Sequence, residues 1–259
     1  MKDNLFPIVD ISYLSKNFTE SEKWKDNGKF RTDESIRDLA QQLRAGFETW
    51  GFLYIKGHCI PENLITDVFT KSKHFFEKPV ATKRKYNRGK GISEGYLGPE
   101  NEIFDANKPF DMKQAFDFRP NTETSVHLSK ESPEFIAGMT ELFEYSKELA
   151  LKFLRLLAVA LGIDTEHFAS FHSDLGNHGN NGTSLRSLYY PAINNNNTKD
   201  GNSITDAFRR CREHTDYGTI TLLFQDQVGG LEVCKPFFII YAKQMMSDKN
   251  SCKKTHEKK

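Results

Sequence analysis

His214 and Asp216 stand two residues apart in the segment H-T-D-Y-G-T-I-T-L-L-F-Q-D-Q-V-G-G-L-E-V, residues 214–233. On an extended strand, residues i and i+2 project to one face, so an imidazole nitrogen and a carboxylate oxygen can reach one ion. A second, distant histidine would complete a 2-His-1-carboxylate set. That set occupies one face of an octahedron and leaves the other positions for a co-substrate and dioxygen, a donor chemistry suited to non-haem Fe(II). If the strand stays regular, Ile220, Leu222 and Phe224 share the ligand face and line it with apolar side chains. The bare H-x-D spacing also describes an ordinary polar pair on a surface strand, so its setting has to decide.

The elements that must hold this pair are readable along the chain. Residues 5–11, L-F-P-I-V-D-I, read as a short extended segment, followed by a polar stretch to about Phe30. Ile36, Leu39, Ala40, Leu43, Phe47 and Trp50 recur at helical spacing; Thr32 or Asp33 can cap the helix and Gly51 stops it. Residues 52–55, F-L-Y-I, form a β-like run. Pro61 suits the start of a second helix carrying Leu64, Ile65, Val68, Phe69, Phe75 and Phe76. The basic run at 83–90 reads as a solvated loop, and 88–122 as ordered loop with short strands. A long helix is predicted over 133–161, ended by Gly162. Residues 185–193 are strand-like, 194–197 are four consecutive Asn, and 211–233 have the Thr, Ile, Leu and Gly content of strands and tight turns. The predicted layout is a helix-rich region over 1–180, a β-rich region over 181–233 and a divergent polar tail over 234–259.

Composition narrows the function classes. A chain of 259 residues is one large domain or two modest ones, long enough to bury a core without disulfides. Its 21 Phe argue for a packed interior. Lys+Arg 36 against Asp+Glu 35 leaves a formal charge of +1, no field for a polyanion, so nucleic-acid binding is not expected. The four cysteines, Cys59, Cys211, Cys234 and Cys252, form no C-x-x-C pair, which speaks against a zinc ribbon or a thioredoxin motif and suits a reducing compartment. No apolar stretch reaches membrane-spanning length and no signal peptide is evident, so a cytoplasmic protein without a membrane partner is expected.

The setting of the H-x-D pair is specific. H-T-D-Y-G-x-x-T-L-L-x-Q-D-x-x-G-G-L-x-V resembles the second half of the isopenicillin-N-synthase-like branch of the 2-oxoglutarate/Fe(II)-dependent oxygenases. The rest is similar to that family in order: F-P-I-V-D-I-S at the start, Gly51-Phe52-Leu53-Tyr54-Ile55 with Gly57-His58, Phe75-Phe76-Glu77-Lys78-Pro79 with Lys83, Gly95-Tyr96, Phe116, and Leu185-Arg186 with Tyr189-Tyr190-Pro191. The resemblance runs over 5–233. It implies a mixed α+β fold: a double-stranded β-helix (jelly roll) core with flanking N-terminal helices. It also implies oxidation of a small-molecule substrate coupled to decarboxylation of 2-oxoglutarate, with Fe(II) as metal and ascorbate as an accessory reductant. His214 and Asp216 match the first two iron ligands, and Tyr190 matches a tyrosine that hydrogen-bonds the co-substrate carboxylate. Tyr190 reads equally as a core aromatic of its strand, and Arg186 reads as an interior charge near the site or, in preference, as a structural arginine at a strand end. His58 and His74 carry no assigned role.

After Val233 the resemblance ends. The family continues with a distal iron-binding histidine and an R-x-S whose arginine pairs with 2-oxoglutarate. This chain continues C-K-P-F-F-I-I-Y-A-K and ends in a lysine-rich tail with no arginine after Arg212. Its one later histidine, His256, lies in K-K-T-H-E-K-K, which reads as a solvated tail. An eight-stranded jelly roll needs roughly 80 residues or more. The expectation is therefore an incomplete core, truncated after Val233 by splicing or a gene-model error. Three readings follow: an oxygenase, a non-catalytic isoform or binding protein retaining part of the fold, and a divergent metal binder using His214, Asp216 and His256.

Overall fold

Helix formation begins where the sequence places its punctuation. In the computed structural model, which describes residues 6–17, 27–89, 93–98, 113–177, 182–192, 210–211, 214–216 and 218–233, Asp33 accepts the backbone N–H of Ile36 at 3.3 Å and opens a helix over Glu34–Trp50. Gly51, in the left-handed conformation, donates its N–H to Phe47 O at 2.9 Å and closes it. The buried stripe is Ile36, Leu39, Ala40, Leu43 and Gly46.

The elements in chain order are β1 (Ile8–Asp10), α1 (Ser12–Asn17), α2 (Asn27–Thr32), α3 (Glu34–Trp50), β2 (Tyr54–Lys56), α4 (Glu62–Phe76), α5 (Val80–Arg84), β3 (Gly95–Leu97), β4 (Gln114–Phe118), α6 (Glu123–Glu131), α7 (Pro133–Ala160), α8 (Glu166–Phe171) and β5 (Leu185–Tyr189). No helix among the described residues is long and apolar enough to cross a membrane. The chain divides into two compact units interleaved in sequence. One comprises Met1–Cys59, Glu148–Ser173 and Leu222–Lys259; the other comprises Ile60–Lys147 and Asp174–Thr221.

In the first unit, β1 and β2 pair in parallel, Ile8 opposite Tyr54 and Asp10 opposite Lys56. Phe6 packs edge-on against Trp50 and Tyr54, with ring centroids at 5.1 and 6.0 Å. Asp10 Oδ1 accepts the N–H of Ser12 at 2.9 Å, and Lys56 Nζ lies 3.2 Å from Oδ2. Gly57 closes over this corner at φ +74°; a Cβ there would lie 2.1 Å from Ser12 Oγ and 2.9 Å from Asp10 Oδ1. Arg44 Nη1 reaches Ala160 O at 3.3 Å, and Arg155 forms a bidentate pair with Glu166 at 2.6 and 2.9 Å. The end of α7 matches expectation: Gly162 donates to Val159 O and Ile163 to Ala158 O, both at 3.0 Å, the paired bonds of a Schellman stop.

In the second unit, β4 lies between β3 and β5 and runs antiparallel to both. One face of this sheet is aromatic. Phe116 sits 5.2 Å from Phe75 of α4 and 5.6 Å from Phe135 of α7, while Phe75 and Phe135 stack at 4.9 Å. Phe118 meets Phe143, and Tyr189 stacks on Phe76 at 5.4 Å. The Gly95-Tyr96 pair has a backbone reason: Tyr96 N–H donates to Tyr86 O at 2.7 Å, an approach that leaves a Cβ on Gly95 only 2.6 Å from that oxygen.

Three expectations need correction. The basic run at 83–90 is not simply a solvated loop: Lys83 lies in α5 and is 3% exposed. Its Nζ donates to Phe76 O and to Gln114 Oε1 (2.7 Å) and sits over the Tyr96 ring. Burial pushes its ammonium below the ordinary 10.5. Lys85 and Arg88 also have acidic partners, Glu131 and Asp117. The strand expected over 185–193 stops at Tyr189, because Pro191 has no N–H to continue a ladder. Residues 214–216 and 218–233 carry no strand. They keep strand-like alternation, with Ile220, Leu222 and Phe224 half-buried and Thr221, Leu223 and Gln225 exposed, but no pairing with another described segment converts that into a ladder. A turn at 227–228 follows, with Val228 N–H donating to Asp226 Oδ1 at 2.9 Å. Residues 194–197 and 234–259 lie outside the described residues.

Gly57→Ala should lower stability by about 1–3 kcal/mol, since the methyl meets Ser12 and the backbone keeps φ positive. A urea midpoint equal to that of the wild type would contradict the close approach. Asp10 gives a pH signature. Hydrogen bonds from the Ser12 side chain and backbone, with Lys56 adding to them, lower its carboxyl from 3.8 to about 2. The depressed value means that its contribution is present above pH 3.8 and lost as pH falls through about 2. Stability should therefore fall more steeply with acidification in the wild type than in Asp10→Asn; parallel acid limbs would exclude this role.

Candidate active site

The site is assembled from the sheet outward. On β5 the exposure alternates, with Leu185, Ser187 and Tyr189 turned to the packed face and Arg186 and Leu188 to the open one. Asp117 of β4 pairs with Arg186 in the ladder. Its carboxylate is 2% exposed and takes two bonds from Arg186 (Nε 2.6 Å, Nη2 2.9 Å) and one from Arg88 Nη1 at 3.0 Å. Arg186 is therefore the structural arginine its position suggests, and its partner is a buried charge on the central strand of the sheet. Bidentate geometry fixes the guanidinium plane and with it the register of β5.

Tyr190 follows β5 directly and is 36% exposed. Arg210 donates to its carbonyl at 3.3 Å and to that of Pro191 at 2.6 Å. The chain thus returns to the end of β5 at Arg210, and Cys211 follows. Cys211 Sγ lies 3.9 Å from His214 Nδ1, and Lys113 Nζ donates to the same sulfur at 3.6 Å. His214 Nε2 then faces Asp216 Oδ1 at 3.5 Å, both side chains half-exposed.

His214 and Asp216 are therefore brought together as the i, i+2 spacing supposes, although no ladder holds them. An imidazole nitrogen beside a carboxylate oxygen is two-thirds of the donor set that Fe(II) takes in 2-His-1-carboxylate sites, so the pair fits that ion as far as it goes. Among the described residues, no group of three His, Cys, Asp or Glu converges on one point. His256 lies outside the described residues. Tyr190 carries a hydroxyl donor of the kind a carboxylate accepts.

Lys113, Cys211 and Asp117 were not identified from sequence. Cys211 carried a local signal, its place three residues before His214. Lys113 and Asp117 carried none, because their roles depend on the pairing of strands distant in sequence.

Asp117→Ala should destabilise the fold by about 3 kcal/mol, because two guanidiniums lose the charge that neutralises them. Thermal and urea melts check this; a loss below about 1 kcal/mol would mean that the pair does not hold the strands.

Residues 7–136, half of the chain, match the family model described as non-haem dioxygenase in morphine synthesis N-terminal. Proline hydroxylase buaE of Petromyces alliaceus is 33% identical over 207 residues, covering 75% of this chain and 60% of that protein. Homoarginine-6-hydroxylase 2-ODD-C23 of Glycine max is 29% identical over 240 residues, covering 88% of this chain and 68% of the relative. The crystal structure of a full-length Neurospora crassa protein in complex with alpha-KG superposes with a TM-score of 0.65 at 28% identity, covering 91% of this chain and 69% of that one. The chain spans about 60% of the length of the first of these relatives.

Proposed function

The chain belongs to the 2-oxoglutarate/Fe(II)-dependent oxygenase superfamily, and from that premise we propose an oxidoreductase that hydroxylates or desaturates a small molecule while converting 2-oxoglutarate to succinate and carbon dioxide. The observation that carries this reading is the 3.5 Å approach of His214 Nε2 to Asp216 Oδ1 in such a chain. His214 and Asp216 would hold Fe(II), and the Tyr190 hydroxyl would bind a carboxylate of the co-substrate. When bound, Fe(II) would activate dioxygen, the oxidant, and 2-oxoglutarate would give up two electrons on decarboxylation to match the two taken from the substrate; ascorbate would serve as an accessory reductant.

The protein's own residues do the positioning. Arg186 on Asp117 sets the register of β5, and Arg210 ties down the carbonyls of Tyr190 and Pro191, so the Tyr190 side chain leaves a fixed backbone. The half-buried Ile220, Leu222 and Phe224 supply apolar surface close in sequence to the donor pair. We assign residues 1–180 to the helix-rich part of the oxygenase fold, 181–233 to the first half of a jelly roll and 234–259 to a divergent tail, in a cytoplasmic protein. The named hydroxylases among the relatives support a small-molecule substrate.

The second reading is a non-catalytic relative that keeps part of the fold; the missing third donor among the described residues favours it. One pair of experiments separates the two. An anaerobic melt with Fe(II) and 2-oxoglutarate at about 100 times Kd should raise stability by about 2.7 kcal/mol, or about 5–10 °C in Tm. Succinate formation should depend on both additions and fall to background in His214→Ala. Turnover in that variant equal to the wild type would remove His214 from the site. A cooperative melt with neither shift nor turnover would select the non-catalytic reading.

A further inference from the structure

His214 uses its two ring nitrogens in two directions. Nε2 faces Asp216 Oδ1 at 3.5 Å and Nδ1 faces Cys211 Sγ at 3.9 Å. The sulfur is approached from another side by Lys113 Nζ at 3.6 Å. Lys113 directly precedes β4 and is 5% exposed. Four side chains thus form a line, Lys113, Cys211, His214, Asp216, that begins at the central strand of the sheet and ends at the donor pair.

We infer that Cys211 is a positioning residue for His214: its sulfur engages Nδ1 and so presents Nε2 beside the Asp216 carboxylate. The inference rests on reading His214 as a metal ligand. An imidazole can turn over about its terminal torsion, where the energy wells are broad and roughly two-fold, exchanging Nδ1 with a ring carbon. Packing on a half-exposed ring selects weakly between the two orientations; a polar partner at Nδ1 adds to the selection that Asp216 exerts at Nε2. Metal-binding histidines are generally held in this way, through the nitrogen that does not bind the metal, by a carboxylate, a carbonyl or water. Here the partner is a sulfur. A thiol is a weak donor and a weak acceptor, so it can give its S–H to a bare Nδ1 or accept Nδ1–H. The contact would therefore survive the change of tautomer that metal binding at Nε2 requires, with the ring proton then on Nδ1. The buried Lys113 donates to the same sulfur at 3.6 Å and ties it to the residue that precedes β4.

The test uses the full chain as wild type, Cys211→Ala, Cys211→Ser and His214→Ala, with matching thermal melts for the two Cys211 variants. The first readout is the ¹⁵N shift of the His214 ring in metal-free protein, at a pH above the ordinary histidine range. Cys211→Ala should move the Nδ1 resonance by several ppm, and Cys211→Ser should restore part of the difference. An Nδ1 shift unchanged in Cys211→Ala overturns the inference. The second readout is Co(II) affinity, expected to weaken about 10- to 100-fold in Cys211→Ala and by less in Cys211→Ser. Equal affinity in wild type and Cys211→Ala overturns the positioning role while leaving His214 as a ligand. Equal affinity in wild type and His214→Ala overturns the metal reading, and this inference with it.

Discussion

A carboxylate with almost no access to water sets the terms for the second unit. Asp117 sits in the middle strand of the sheet, 2% exposed, and an ionised group there costs several kcal/mol unless it is neutralised. Arg186 and Arg88 do so from two directions, one from the neighbouring strand and one from the segment leading into β3. A one-residue slip of β5 would turn Arg186 to the packed face and strand the charge. Register is therefore specified by an ion pair on one face and by ring packing on the other, where Tyr189 meets Phe76. The two requirements agree only in the observed pairing, and that pairing decides where Tyr190 leaves the sheet.

The aromatic face explains why so much of the 21-Phe content falls in three elements. Phe75, Phe116 and Phe135 come from α4, β4 and α7, and their mutual distances of 4.9 to 5.6 Å are those of edge and stacked contacts. Lys83 belongs to the same junction. Phe76 O, at the end of α4, has no partner within its helix, and the Lys83 ammonium supplies one while also reaching Gln114 of β4. A buried lysine without a carboxylate is costly, but here it closes a helix end against a strand.

Legibility in the sequence followed the range of the interactions. Both ends of α3 could be read because Asp33 and Gly51 act on residues three or four positions away. The end of α7 at Gly162 was readable for the same reason. α6 was not, because its capping box joins Thr122 to Ser125 rather than to Glu or Gln, and Leu128 is its one buried apolar side chain, too little for a period. The alternation of Ile220, Leu222 and Phe224 was visible, whereas pairing, which needs a second segment, was not. At the site, the closeness of His214 and Asp216 followed from spacing. The buried Lys113 behind Cys211 lies about a hundred residues away in sequence, and no local pattern announces it.

The parallel pairing of β1 with β2 has a kinetic side. About 45 residues separate Ile8 from Tyr54, and closing a loop of that length costs roughly 3 kcal/mol of chain entropy. Helix α3, inside that loop, is built from contacts three and four residues apart and bears no such cost. Local contacts therefore favour the formation of α3 and its caps ahead of the β1–β2 pairing, in which Phe6 packs against Trp50 and Tyr54. The same cost operates in reverse: parting β1 from β2 returns the closure entropy of the intervening loop, a gain in chain freedom that breaking the local contacts of α3 does not offer.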